Sequence, residues 1–296
     1  MGIWVDTDMS GDDVFALHLL VRHAQVDGIS LGFGVVPLPQ VRANAAGACA
    51  AFGWSAPLHA GADRAVLGGL ETAERILGPT GIRSRGGMLP AAEDRARSDA
   101  LRALAAWLEG REAAEILALG PLTNLAVLAL ARPDLLPRIA RITWMGGGVT
   151  SGNHTASAEF NAFADPEALA IVLSRGAPIR MIDLDACRRV QIDETDVAAL
   201  GPGLLADLLG GYLDIALERG RPSMALYDPV AAAAHLRPDL FRFRSVRLDA
   251  ELGGLHARGR TIVETRHAET HNAEIAEDLD AEAVKRLCLS ALRPSP

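Results

Sequence analysis

The sequence predicts a single α/β domain spanning residues 1–296, with a Rossmann-like, open, mostly parallel sheet and helices on both faces. Three observations predict it. Short β-rich apolar runs alternate with alanine-rich helical segments from the first residues onward, the pattern of strands joined by crossover helices. With 296 residues and 49% hydrophobic content, the chain can bury a large core. No linker-like stretch, fixed-period repeat or low-complexity tract divides it.

Taken in order, the first strand is Ile3-Trp4-Val5, followed by a helix over about 12–25. A second strand runs from Ile29 to Val36, before a helix over about 40–52. Glu115 to Leu119 precedes a helix from Leu122, and Ile139 to Met145 precedes a loop and a helix from Pro166. Ile179 to Ile182 is a further strand. Residues 204–219 read as helix, and Tyr227-Asp228-Pro229 as a helix start with proline in the first turn, continued by the alanine-rich run 230–234. Two segments, Gly61 to Arg97 and Gly147 to Ala158, read as loops. Ligands of open α/β sheets sit beyond the carboxyl ends of the strands, so both loops are candidate walls of a site.

The formal charge of −8 argues against a nucleic-acid footprint, and no stretch reaches the roughly 18 apolar residues of a membrane span. A small molecule is the expected partner. No signal-peptide pattern precedes Asp6, so a cytoplasmic protein is expected. Cys49, Cys187 and Cys288 show no metal-like spacing and read as free buried thiols. Lys285 is the only lysine, which excludes a mechanism needing one near the N-terminus.

Chemistry concentrates in four places. Asp6-Thr7-Asp8-Met9-Ser10-Gly11-Asp12-Asp13 carries four carboxylates in eight residues, a density that demands protons or a hard cation with oxygen ligands. Asp6 and Asp8, two apart at the end of a strand, project to one side if the extended geometry persists. Asp12 and Asp13 open the next helix, where free amides and the helix dipole favour carboxylates. Met145-Gly146-Gly147-Gly148 lets backbone approach a ligand closely, and the following Asn153, Glu159 and Asn161 offer donors and acceptors suited to hydroxyl groups. Tyr227-Asp228-Pro229 and Leu119-Gly120-Pro121-Leu122-Thr123-Asn124 complete the set. Either of the last two, standing alone, reads as an ordinary turn or helix start.

Together and in this order, these segments resemble the nucleoside hydrolase family, the inosine-uridine type enzymes that cleave the N-glycosidic bond of ribonucleosides. The resemblance implies a Ca²⁺ ion held by Asp8, Asp13, the main-chain carbonyl of Leu119 and Asp228, with water and two ribose hydroxyls completing the shell. It implies that Asp8 acts as general base on the water at that metal, and that Asp12, Asn153, Glu159, Asn161 and Asp228 bind the sugar. A homodimer or homotetramer is the assembly it implies.

The chain also departs from the family pattern. Val35-Val36-Pro37-Leu38-Pro39-Gln40 stands where relatives carry a Val-Val-Gly-Asn loop, so one substrate-contacting Asn is missing. Tyr227 replaces a histidine before the metal-binding aspartate, and Arg83-Ser84-Arg85-Gly86-Gly87 replaces a His-Gly loop. Tyr227 is therefore the expected donor to the leaving base, with Arg83 or Arg85 as auxiliaries. His154 is the only histidine in a motif segment and reads as a solvated loop residue. Two other readings compete: a calcium-dependent sugar or nucleoside binder with little turnover, and a haloacid dehalogenase-like phosphohydrolase, whose Asp-x-Asp motif also follows a first strand.

Overall fold

The computed structural model describes residues 2–293. Its strands are β1 (Ile3–Thr7), β2 (Val26–Leu31), β3 (Leu58–Ala60), β4 (Ser98–Asp99), β5 (Ala114–Ala118), β6 (Ile139–Met145), β7 (Ile179–Ile182), β8 (Gln191–Ile192), β9 (Met224–Ala225), β10 (Phe241–Ala250), β11 (Thr261–Glu264) and β12 (Ala273–Leu279). The main helices are α1 (Gly11–His23), α2 (Leu38–Phe52), α3 (Glu74–Leu77), α4 (Ala100–Glu109), α5 (Thr123–Ala131), α6 (Phe160–Ala164), α7 (Pro166–Ser174), α8 (Leu184–Cys187), α9 (Glu194–Ala198), α10 (Leu204–Leu217), α11 (Asp228–Leu236) and α12 (Ala281–Leu292). All strands but β8 and β9 join one sheet in the order β11-β10-β12-β7-β6-β5-β1-β2-β3-β4. From β12 to β4 the neighbours are parallel, while β10 runs antiparallel to both β12 and β11.

The two faces follow from strand alternation. On β1, Ile3 and Val5 enter one core, formed with α1, α2, α10, α11 and α12, whereas Trp4 enters the other, with α4, α5 and α7. Helices thus cover both sides of the sheet. The ring of Trp4 is accommodated because residue 28, opposite it on β2, is glycine; a Cβ there would overlap the indole.

The strand order places the site. From β1 the chain winds outward through β2, β3 and β4 on one side, and from β5 through β6 and β7 on the other. The carboxyl ends of β1 and β5 therefore form the point where the winding reverses, and the loops leaving them diverge to open a crevice.

Two expectations are corrected here. The second strand is Val26–Leu31, not Ile29 to Val36: residues 32–37 leave the sheet and bend over the end of β1, with Gly32 N–H donating to the Thr7 carbonyl at 3.0 Å. Gly34 lies so close to Asp8 that a side chain there would overlap its carboxylate, and a Cβ at Gly32 would sit tightly, 3.3 Å from Asn124 Nδ2. The C-terminal strands β10, β11 and β12 widen the sheet beyond the elements read from sequence.

Candidate active site

Asp8 is the first residue past β1, and Met9 behind it adopts a left-handed φ of 48°, a turn that swings the chain into α1. The Asp8 carboxylate is buried and its Oδ2 accepts the Val35 N–H at 2.7 Å, so the 32–37 bend fixes one oxygen. Asp13, with no exposed surface, accepts the Ser10 N–H at 2.8 Å and the Thr7 hydroxyl, both contributed by the turn it follows. Asp12 accepts from the Ser10 hydroxyl and, at 3.5 Å, from Tyr212 of α10.

Asp228 opens α11, which packs along α1 with Pro229 in its first turn. That packing brings Asp228 to Asp12 and Asp13: one carboxylate oxygen from each lies within 4.8 Å of the other two. Asp13 is also in side-chain contact with Asp8. Burial, followed by these like charges, pushes the carboxyls of Asp8 and Asp228 well above the usual range; Asp12 is raised to about 6 by the same causes. Among the described residues no arginine or lysine ion-pairs with the cluster; its donors are hydroxyls and amides. Buried carboxylates without a compensating cation are an oxygen-donor set fitted to a divalent metal.

Leu119 is the first residue past β5 and lines the same cavity as Asp8. Its carbonyl accepts Asn161 Nδ2 at 2.9 Å, and the Met145 carbonyl accepts the same amide at 3.0 Å. With both amide protons engaged, Asn161 has only its oxygen to offer a ligand. Glu159 caps α6, accepting the N–H groups of Asn161, Ala162 and Gly147 at 2.8–3.0 Å, and burial raises its carboxyl to about 7. Asn153 accepts Phe160 N–H at 3.0 Å, which leaves its amide protons available. Asp8, Asp12, Asn153, Glu159, Asn161, Tyr227 and Asp228 all line one cavity. Asp13 sits behind it as the inner wall of the cluster.

Asp6 does not join them. Its carboxylate accepts the Ser30 hydroxyl and Asn124 Nδ2, the latter at 2.8 Å, and Asn124 in turn accepts Ala62 N–H at 2.8 Å. Strand β1 ends between Asp6 and Asp8, so the shared side expected of residues two apart is lost in the turn. Asp6 and Asn124 instead tie together the ends of β1, β3 and β5. Arg83 and Arg85 are likewise not auxiliaries at the pocket: Arg83 pairs with Glu218 at 2.7 Å, and Arg85 is clamped by Glu194 and Asp214, both at 2.6 Å. Carboxylates on α9, α10 and just beyond outcompete the pocket for the two arginines.

Several lining residues were not read from sequence at all. Val35, Ala73, Ile76 and Leu77 supply apolar wall, Tyr212 and Ile215 come from α10, Arg219 from just beyond it, and Met224 from β9. His154 is not a solvated loop residue; its side chain is mostly buried and lines the cavity. A testable consequence concerns Gly34, whose Cβ position overlaps the Asp8 carboxylate. Gly34→Ala is expected to lower kcat by tenfold or more through displacement of Asp8, with thermal denaturation reporting a loss of about 1–3 kcal/mol. Unchanged kinetics would mean that the 32–37 bend does not position Asp8.

Carboxylates gathered at one end of a cavity that also carries amide side chains are the equipment of a glycosidase, and that is the class of enzyme this fold and site define. The sequence model of the inosine-uridine preferring nucleoside hydrolases matches residues 3–286. The chain belongs to that family and is an N-glycosidase. A pyrimidine-specific ribonucleoside hydrolase, RihA, from Enterobacter sp. (strain 638) is 34% identical over 216 residues, covering 70% of this chain and 69% of the relative. The corresponding RihB of Escherichia coli (strain SE11) is 27% identical over 274 residues, 88% of this chain and 86% of that one. Among solved structures, a plant nucleoside hydrolase superposes with a TM-score of 0.91 at 23% identity, covering 99% of both chains. A purine-preferring ribonucleoside hydrolase from Gardnerella vaginalis gives 0.90 at 23% identity, over 99% of this chain and 98% of the other. These two likenesses concern the fold.

Proposed function

We propose that this chain hydrolyses ribonucleosides to free base and ribose with a Ca²⁺ ion held by Asp8, Asp13, Asp228 and the Leu119 carbonyl. The observation that carries the reading is the buried, uncompensated carboxylate cluster at the reversal point of the sheet, opening into a cavity lined by Asn153, Glu159 and Asn161. A divalent cation there would offset the clustered negative charge, polarise the attacking water and grip a sugar diol.

The protein's own groups divide the remaining work. Asp8, held by the Val35 N–H, takes a proton from water poised at the anomeric carbon. Asp12, Asp228, Asn153, Glu159 and Asn161 orient the ribose hydroxyls, and the carboxylates among them favour the oxocarbenium-like transition state. Tyr227, at the cavity wall, donates a hydrogen bond to the departing base. Its phenol is pushed above its ordinary range, first by burial and then by nearby Cys187, so it holds its proton rather than transferring it. Tyr227→Phe is therefore expected to cost about 3–10-fold in kcat/KM on nucleosides, the worth of one hydrogen bond. A loss above a thousandfold would make Tyr227 a proton donor instead.

The defining test is release of reducing sugar from a panel of purine and pyrimidine ribonucleosides, in calcium and in chelator. Release that depends on calcium supports the reading. Calcium-dependent binding without release from any substrate would favour the binder, and release with all divalent ions removed would overturn the metal assignment. The phosphohydrolase alternative is set aside by family membership. Three free, buried cysteines suit a reducing compartment and the cytoplasmic placement we propose; light scattering on the purified protein tests the proposed homodimer or homotetramer.

A further inference from the structure

The leaving base needs a proton or its equivalent, and the residues first expected to supply one do not. Arg83 and Arg85 are spent in ion pairs, and Tyr227 keeps its phenolic proton. Glu159 uses both oxygens as acceptors from backbone amides. One imidazole lines the cavity. His154 is only 14% exposed in its side chain, and its Nε2 lies 3.1 Å from Glu71 Oε1 on the facing loop. Phe160 and Phe163 of α6 pack against the ring with centroids 5.3 and 4.7 Å away, and the 152–155 backbone is pinned by N–H bonds to Ala158 and Ala156. Glu71 is the one charged group paired with this ring among the described residues. Because the carboxylate engages Nε2, Nδ1 is the atom left to exchange a proton with a ligand.

We infer that His154, oriented by Glu71, is the general acid that protonates the departing base. The inference rests on the ribonucleoside hydrolysis proposed above and assigns the one role left open there. As the C1′–N bond breaks, its electron pair passes to the base and the Nδ1 proton follows it, leaving neutral imidazole. Water adds its oxygen to C1′ and gives its proton to Asp8; solvent returns a proton to His154 and accepts one from Asp8, so that nucleoside and water become ribose and base. Glu71 is a positioning residue that acts through the imidazole.

The test compares inosine and uridine, which need a leaving-group proton, with p-nitrophenyl riboside, which departs as a stabilised phenolate without one. His154→Gln is expected to lower kcat/KM on the nucleosides about 100-fold, at least tenfold more than on the nitrophenyl riboside. Glu71→Gln should show the same pattern at smaller amplitude. Equal losses on both substrate types, or a nucleoside loss below threefold, would overturn the assignment. If the unaltered protein cleaves none of these substrates, the underlying hydrolase reading fails instead.

Discussion

Asp8→Asn is expected to reduce kcat on ribonucleosides by about 1,000-fold or more while raising the melting temperature of the metal-free protein. Both effects follow from one geometry. The asparagine oxygen can still accept the Val35 N–H that holds Asp8 at 2.7 Å, so the local fold survives. What disappears is a carboxylate buried against Asp13 and Asp12, and with it the group proposed above to take the proton of the attacking water. General-base removal alone is worth about 10²–10⁴-fold, and loss of a cation ligand adds to it. The stability gain arises because like charges crowded without solvent are a strain maintained for chemistry, and removing one relieves the rest. Steady-state kinetics and calorimetry on the same preparation decide the matter. A variant within tenfold of the parent would remove Asp8 from the role of base, and a lower melting point in chelator would mean that the carboxylate is held by attractive rather than repulsive neighbours.

The parts of this site that could be read from sequence are those where chemistry is written in short segments. Asp8, Asp12 and Asp13 fall within one strand-to-helix turn, and Asn153, Glu159 and Asn161 within one loop and the helix start that ends it, so spacing alone puts each group in one place. Asp228 was legible only through the resemblance, since nothing local says that α11 will lie along α1. Asp6 was misjudged because a period-two argument holds only while the strand continues, and β1 stops at Thr7. His154 and Glu71 are 83 positions apart and meet only because two loops fold toward each other; no local pattern announces that. The antiparallel strands were a different failure. Phe241-Arg242-Phe243-Arg244 and Val246-Arg247-Leu248 each alternate apolar and polar residues in β10, with a slip of phase at Ser245, a strand signature that could have been read from this segment.

The switch-point placement also explains why so much negative charge is tolerated. Asp8 and Leu119 come from the ends of adjacent parallel strands, and Asp13 and Asp228 from two helix starts, where backbone N–H groups are free to meet carboxylates. The Thr7 hydroxyl and the Ser10 N–H donate to Asp13, and the Val35 N–H donates to Asp8. They satisfy hydrogen bonds without neutralising charge, which leaves the cluster dependent on protons or on a cation.

That dependence sets the second large effect. At pH 7.5, chelation is expected to abolish hydrolysis and to lower the melting temperature by roughly 5 °C or more relative to calcium at a hundredfold excess over its Kd, an excess worth about 2.7 kcal/mol. The gap should narrow as the pH falls toward 5. Asp6 and Asp12 are raised to about 6 and Glu159 to about 7, chiefly by burial, so each binds its proton more tightly folded than unfolded. Stability gained this way is complete below the unfolded carboxyl values and is lost as the pH rises through 6–7. Acid therefore stabilises the stripped protein while protons compete with the cation in the loaded one. His18 and His235, buried and lowered to about 4, work in the opposite sense: their contribution is intact above about 6.5 and is lost as the pH falls toward 4. Both lie outside the cluster and titrate alike with or without metal, so they cancel in the difference between the two melting curves. Superimposable curves in calcium and in chelator from pH 7.5 to 5 would show that no cation occupies the aspartates and that their charge is balanced some other way.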